Sequence, residues 1–222
     1  MQWVCKTCGK VFSAPPKSNG KPRLFCSKSC EGQFIRSQKM FGVAYNDVPN
    51  AIKEHRTAYI KWRGMLERCY DNDYQRKHPT YRGCFVCEDW FVFSNFLNWF
   101  NSNYIEGYHL DKDIIKQGNK VYSPDTCCFV PQEINKILTN REMARGEYPI
   151  GVRKKNGKFH ARCQNNTKDS LFLGAFDTED DAFQAYKRFK EGYIQLVADE
   201  YLRQGLIDER VHKSLCNYKI SK

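Results

Sequence analysis

The chain has 222 residues, of which 36 are Lys or Arg and 25 are Asp or Glu, giving a formal net charge of +11. Hydrophobic residues make up 41% and aromatics 14%, too much apolar content for a disordered chain, yet no run approaches the ~18 apolar residues of a membrane span and the start, MQWVCKTCGK, has no signal-peptide core. The expectations are a soluble, cytoplasmic protein, eleven cysteines kept as thiols for metal or core use, a polyanion such as nucleic acid as partner, and no membrane.

Three segments and a tail follow in chain order. Residues 1–40 carry eight basic side chains against one acid, Glu31, and are poor in core-forming residues. A segment of this kind needs a metal or a staple to fold. Cys5-x-x-Cys8 followed by Cys26-x-x-x-Cys30 supplies one, because two pairs of thiolates at that spacing suit a tetrahedral zinc ion with no open position. Gly9 permits the tight turn after the first pair.

In residues 41–146, TAYIKWRGMLERCY places Tyr59, Trp62, Met65, Leu66 and Cys69 at helical spacing. A second helix is expected in FSNFLNWFNSN, capped by Ser94, with Phe96, Leu97, Trp99 and Phe100 as its apolar face. A strand YHLDKDII, a polar loop KQGNKVYSPDT, a strand CCFV and a helix opened by Pro131, PQEINKILTN, come next. Strand alternation puts His109, Asp111 and Asp113 on one face, a set suited to a hard divalent ion and a neighbouring base, with Asn135 reaching it from the helix. Cys69, Cys84, Cys87, Cys127 and Cys128 read as buried thiols in preference to a second tetrathiolate.

Residues 147–200 read as three short strands, YPIGVRKK, GKFHARCQ and LFLGAF, joined by Asn-Gly and Asn-Asn turns. A helix capped by Thr178 follows, its buried stripe expected to be Ala182, Ala185, Tyr186, Phe189, Tyr193 and Leu196. A second basic concentration, from Arg141 to Lys168, spans the start of this segment. The tail, 201–222, is polar, either a short helix or disordered.

Three stretches resemble known families. WVCKTCGKVFSAPPKSNGKPRLFCSKSC is similar to the small zinc modules of phage and intron-encoded DNA enzymes. Residues 55–140, with Trp62-x-x-Met65-x-x-Arg68-Cys69-Tyr70, the block Val86 to Phe96, LDKDI, GNKVYSP, CFVP and IN, resemble the HNH (ββα-metal) homing-type endonucleases of phages and introns. That resemblance implies a DNA phosphodiesterase in which Asp111 and Asn135 hold magnesium, and the shared strand face adds Asp113 as a candidate ligand. The family's base histidine is replaced by Lys112 and its loop Asn by Thr126, so the base is either Lys112 or His109, whose imidazole has the more suitable ordinary pKa. Residues 148–200 resemble the Apetala/ethylene-response-factor DNA-binding domain, whose sheet enters the major groove. On that likeness Arg153, Lys155, Lys158, Arg162 and Gln164 are the expected contacts.

The expected fold class is α+β: a small zinc-binding module (1–40), a ββα-metal HNH core (41–146), a three-stranded antiparallel sheet with one packed helix (147–200), and the tail. The expected function is a site-directed endonuclease acting on double-stranded DNA, with structural Zn2+ and catalytic Mg2+ and no small-molecule cofactor. A non-catalytic DNA-binding regulator on a degenerate HNH scaffold is the alternative, and RNA binding is weaker.

Overall fold

The strands are short, two to seven residues among the described residues, and turn residues such as Asn156-Gly157 separate them. The computed structural model describes residues 1–17, 20–37, 39–138, 147–164 and 170–222. Its architecture is mixed α+β with small separate sheets. Among the described residues, no helix is long and apolar enough to cross a membrane.

Two units make up the chain. The first comprises residues 1–102 and 121–123. It begins with an antiparallel pair, β1 (Gln2–Val4) and β2 (Val11–Ser13), followed by α1 (Lys28–Ser37). Further on come α2 (Ala51–Glu54), α3 (Arg56–Tyr70), α4 (Asn72–Lys77), β3 (Phe85–Val86) and α5 (Phe93–Asn103). The α3 stripe buries Ala58, Trp62, Met65, Leu66 and Cys69, close to the helical reading. Trp62 donates its indole N–H to the Trp90 carbonyl at 2.6 Å, so the polar edge of a fully buried ring is satisfied. Phe93 packs on Trp62 at 5.1 Å, and Phe96 meets Trp90 edge-on at the same separation.

Ser94 does not cap α5. The helix starts at Phe93, and the Asp47 carboxylate accepts from the Ser94 amide at 2.9 Å. A distant acid thus fills the role that local sequence assigned to the serine.

The second unit comprises residues 103–120 and 124–222. β4 (His109–Asp111) pairs antiparallel with β6 (Cys128–Val130), and α6 (Gln132–Leu138) follows directly after Pro131. Between these strands, within the expected polar loop, β5 (Val121–Tyr122) joins the first unit by pairing in parallel with β3. Residues 41–146 therefore contribute to both units.

β7 (Val152–Lys155), β8 (Lys158–Gln164) and β9 (Ser170–Phe176) form one antiparallel sheet, covered by α7 (Glu179–Arg203). Asn156 and Gly157 both have positive φ, 52° and 77°, as a two-residue hairpin turn requires. The Asn165–Asn166 turn lies outside the described residues. Thr178 caps α7 as the sequence predicts, accepting from the Asp181 amide at 3.1 Å. The stripe behind it differs in part: Phe183, Ile194 and Ala198 are buried, while Leu196 is 69% exposed. Leu196 lies ten residues beyond Tyr186, about 80° short of a whole number of helical turns, so it leaves the buried face.

Gly151 is where the sheet meets the helix most closely. Its φ is +77°, and a Cβ there would fall 2.1 Å from the Tyr186 ring. Only glycine supplies both that backbone conformation and that clearance.

The tail is ordered and packed. α8 (Glu209–Cys216) is capped by Asp208, and Ile207, Val211, Leu215 and Ile220 are buried. These residues share one core with Ile114, Val130 and Ile134 of the β4–β6–α6 portion and with Cys163, Phe183 and Tyr186 of the sheet and α7. Segments that the sequence separates at 146/147 thus bury apolar surface against each other, a contribution of about 25 cal/mol per Å2.

Candidate metal centre and nucleic-acid interface

The N-terminal thiols come together through two turns. Gly9, at φ +70°, closes the first, where its amide donates to the Cys5 carbonyl at 2.9 Å. The first turn of α1 carries Cys30, and the Thr7 hydroxyl donates to the Cys30 carbonyl at 2.6 Å, tying the two knuckles together. The Sγ atoms of Cys5, Cys8, Cys26 and Cys30 all lie within 4.8 Å of one another. Cys26 is 3.6 Å from Cys8 and 3.5 Å from Cys30. A zinc ion at about 2.3 Å from each sulfur needs sulfurs about 3.8 Å apart. The cluster therefore fits a structural metal such as zinc, with every coordination position filled by the chain.

Its electrostatics agree. Burial opposes ionisation of Cys5, but the amides of Cys8, Cys26 and Thr7 outweigh it and bring the thiol down to about 6. Cys26 is pushed up to about 12, first by its bonds to Cys30 and Cys8 and then by burial. Crowded thiols share protons until a cation removes the conflict.

The other cysteines of residues 41–146, expected as buried thiols, form no such group, and Cys87 is only partly buried. Cys69 and Cys84 are buried within the first unit, and Cys127 and Cys128 within the second. Among the described residues, the convergent groups of three or more His, Cys, Asp or Glu are the N-terminal quartet and Asp199, His212 and Cys216.

The acidic strand departs from its expected geometry. β4 ends at Asp111, whose Oδ1 accepts from the amides of Asp113 at 2.6 Å and Ile114 at 2.9 Å. The carboxylate thereby folds the chain into an Asx turn, so strand alternation stops before Asp113. His109 and Asp111 keep the same parity on β4, facing Val130 and Cys128 across the hairpin. Asp113 instead binds the Lys112 ammonium at 2.5 Å. Lys112 is buried and also donates to the Asn119 carbonyl at 2.9 Å, while the Asn119 amide returns a bond to the Lys112 carbonyl at 2.8 Å. Lys112 thus fastens the loop from 112 to 119.

Asp111 remains a chemically suitable oxygen ligand. Burial, with the charge of Asp113, holds its carboxyl above the ordinary range despite the two amides and Lys112. Its partner in register, Cys128, is pushed up to about 12 by burial and by the Asp111 charge. No hydrogen bond reaches Asp111 Oδ2 among the described residues, and Asn135 stands half-buried on α6, which packs on β4. One carboxylate and one amide oxygen suit magnesium, which takes few protein ligands.

The tail supplies neighbours that sequence reasoning missed. Gln117 makes two bonds to the backbone of Lys219, donating at 2.6 Å and accepting at 3.1 Å. The Tyr218 phenol is held above its ordinary range by burial and then by the charges of Asp113 and Asp111. The recurrence of Ile207, Val211 and Leu215 every four residues was the available signal for this packing.

On the C-terminal sheet, register decides the face. Arg153 pairs with His160, Lys155 with Lys158 and Arg162 with Phe172. Lys158, His160, Arg162 and Gln164 alternate along β8, opposite Ala161 and Cys163, which are buried. All five expected contacts, Arg153, Lys155, Lys158, Arg162 and Gln164, therefore share the face turned away from α7. Lys158 is ion-paired with Asp177. Phe172 joins this face, 49% exposed, with the Arg162 guanidinium 5.6 Å and the His160 ring 5.3 Å from its ring. A register shift between Ala161 and Arg162 brings Phe172, in place of Leu173, opposite Arg162, so plain alternation along LFLGAF does not foresee it. Of the second basic cluster, Arg141, Arg145 and Lys168 lie outside the described residues.

Compared with protein-family models, with curated proteins and with solved structures, the chain matches none.

Proposed function

We propose that the chain is a metal-dependent, site-directed endonuclease for double-stranded DNA, of the HNH homing type, with its basic sheet as the DNA-locating surface. The observation that supports it best is the β4–β6–α6 succession, which carries Asp111 on the strand and Asn135 on the helix packed against it. Asp111 and Asn135 would hold magnesium, which when bound supplies charge stabilisation at the scissile phosphate and its leaving 3′ oxygen. His109, exposed on the strand two residues before Asp111, takes the proton of the attacking water in this reading. Lys112 is engaged by Asp113 and the Asn119 carbonyl, so its role is to hold the loop. The zinc knuckle and the face of Arg153, Lys155, Arg162 and Gln164 supply phosphate contacts and affinity.

Two observations favour the second reading, a non-catalytic DNA-binding regulator: Asp111 Oδ1 is spent on the turn, and Lys112 occupies the family's base position. The test is incubation with supercoiled plasmid carrying DNA from the protein's own source, in magnesium, with Asp111→Ala, Asn135→Ala and His109→Ala beside the unaltered chain. Nicking or linearisation by the unaltered chain alone supports the nuclease. A gel shift without any cut sinks it and leaves the regulator.

A further inference from the structure

Asp199, on the exposed side of α7, and His212 and Cys216, one turn apart on α8, bring their ligand atoms within 4.8 Å of one another. Spacing of four residues puts His212 and Cys216 on one helix face. Gln195, one turn before Asp199, donates to the Cys216 carbonyl at 3.0 Å, which fixes the two helices at this point. We propose that Asp199, His212 and Cys216 are a three-donor binding site for a zinc-class divalent ion, clasping α8 to α7.

The geometry distinguishes this from a nucleophile–base relay. A relay needs the carboxylate on one ring nitrogen and the thiol on the other. Here both converge on the same atom: His212 Nε2 is 2.7 Å from Asp199 Oδ1 and 3.4 Å from Cys216 Sγ. Three donors around one point describe a coordination site. An ion at about 2.0 Å from nitrogen and about 2.3 Å from sulfur sets those atoms about 3.5 Å apart, near the separation present. The nitrogen-to-oxygen separation would have to open to about 3.3 Å on the same reasoning. Asp199 can make that small movement because its side chain is 65% exposed. Imidazole, thiolate and one carboxylate select a borderline ion such as zinc or cobalt over magnesium or calcium. The fourth position stays open to water. Binding neutral imidazole and thiolate releases the Cys216 thiol proton to solvent.

Equilibrium dialysis of the full chain against micromolar zinc, followed by elemental analysis, tests the site. The expected result is two zinc ions per chain in the unaltered protein and one in Asp199→Ala and in His212→Ala. Cys30→Ser serves as the complementary variant, losing the N-terminal ion and keeping the other. Cobalt gives a separate readout, because the absorption of a site with one thiolate should vanish in Cys216→Ser while the tetrathiolate spectrum persists. Asp199→Ala alters an exposed side chain, and far-UV circular dichroism verifies its fold. One zinc ion in the unaltered chain, or two in a folded Asp199→Ala, would overturn the proposal.

Discussion

The N-terminal knuckle and the C-terminal unit solve the same problem by opposite means. Between Gln2 and Ser37 the chain has two three-residue strands, one helix and a small aromatic contact, Phe25 on Phe34 at 5.1 Å. Beside Cys5, the described residues offer little buried apolar surface there. The four sulfurs must supply what a core would. Residues 103–120 and 124–222 instead close around one apolar cluster contributed by the β4–β6–α6 portion, the basic sheet, α7 and the tail. The lesson is that chemistry at a few atoms can replace packing over many, but only where a cation is present to neutralise the crowded thiols.

Removing that cation should break the comparison most sharply. Cys30→Ser, which leaves Asp199, His212 and Cys216 untouched, is expected to unfold residues 1–37 while leaving the C-terminal unit intact. Amide hydrogen exchange would read it as lost protection confined to the N-terminal segment, since structural zinc contributes about 10–16 kcal/mol in small zinc modules. Equal loss in both regions would show that they do not fold independently.

Next in size is Gly151→Ala. A methyl 2.1 Å from the Tyr186 ring, at φ +77°, should destabilise by about 2–4 kcal/mol through strain and overpacking, measured by urea unfolding. Its effect belongs to the C-terminal unit alone. Lys112→Met should cost about 1–3 kcal/mol by stranding the buried Asn119 carbonyl and removing the partner of Asp113.

Asp111→Asn sharpens the electrostatic side. The carboxyl is held above its ordinary 3.8 in the folded chain. Stability tied to its neutral form is fully present below that value and is lost as pH rises through the folded pKa. The amide variant keeps the oxygen that accepts the two turn amides but has no charge to desolvate. It should melt higher than the unaltered chain at pH 7 without added magnesium, and the difference should close below about pH 4. If the proposed nuclease reading holds, the same variant should also abolish cleavage, so a stable but inactive protein would separate folding from function. Smallest is Leu196→Ser, expected within about 0.5 kcal/mol in thermal melts, because the side chain is exposed on α7.

Much of the fold was legible where the governing contacts are local. Trp62, Met65, Leu66 and Cys69 are buried at the spacing expected of a helix, Thr178 caps α7, and Asn156-Gly157 makes the hairpin turn. The five basic and polar sheet residues likewise share a face through strand alternation and hairpin register. Reading failed where a side chain took a partner that periodicity does not record. Ser94 yielded its cap to Asp47, forty-seven residues away. Asp113 left the strand face because Asp111 bonded its own following amides, a choice that competes with strand extension and that alternation cannot foresee.

By itself the sequence determined the zinc-type thiol quartet, the α3 stripe, the Thr178 cap and the basic face of the sheet, since each depends on spacing within one element or on cysteines with little else to fold around. Only the tertiary structure decided that the tail packs into a common core, that Lys112 is buried against Asn119, and that Asp199 meets His212 and Cys216. Those outcomes turn on contacts between different elements or across a loop, where the apolar surface buried and the geometry of packed helices are set jointly and no local periodicity records them.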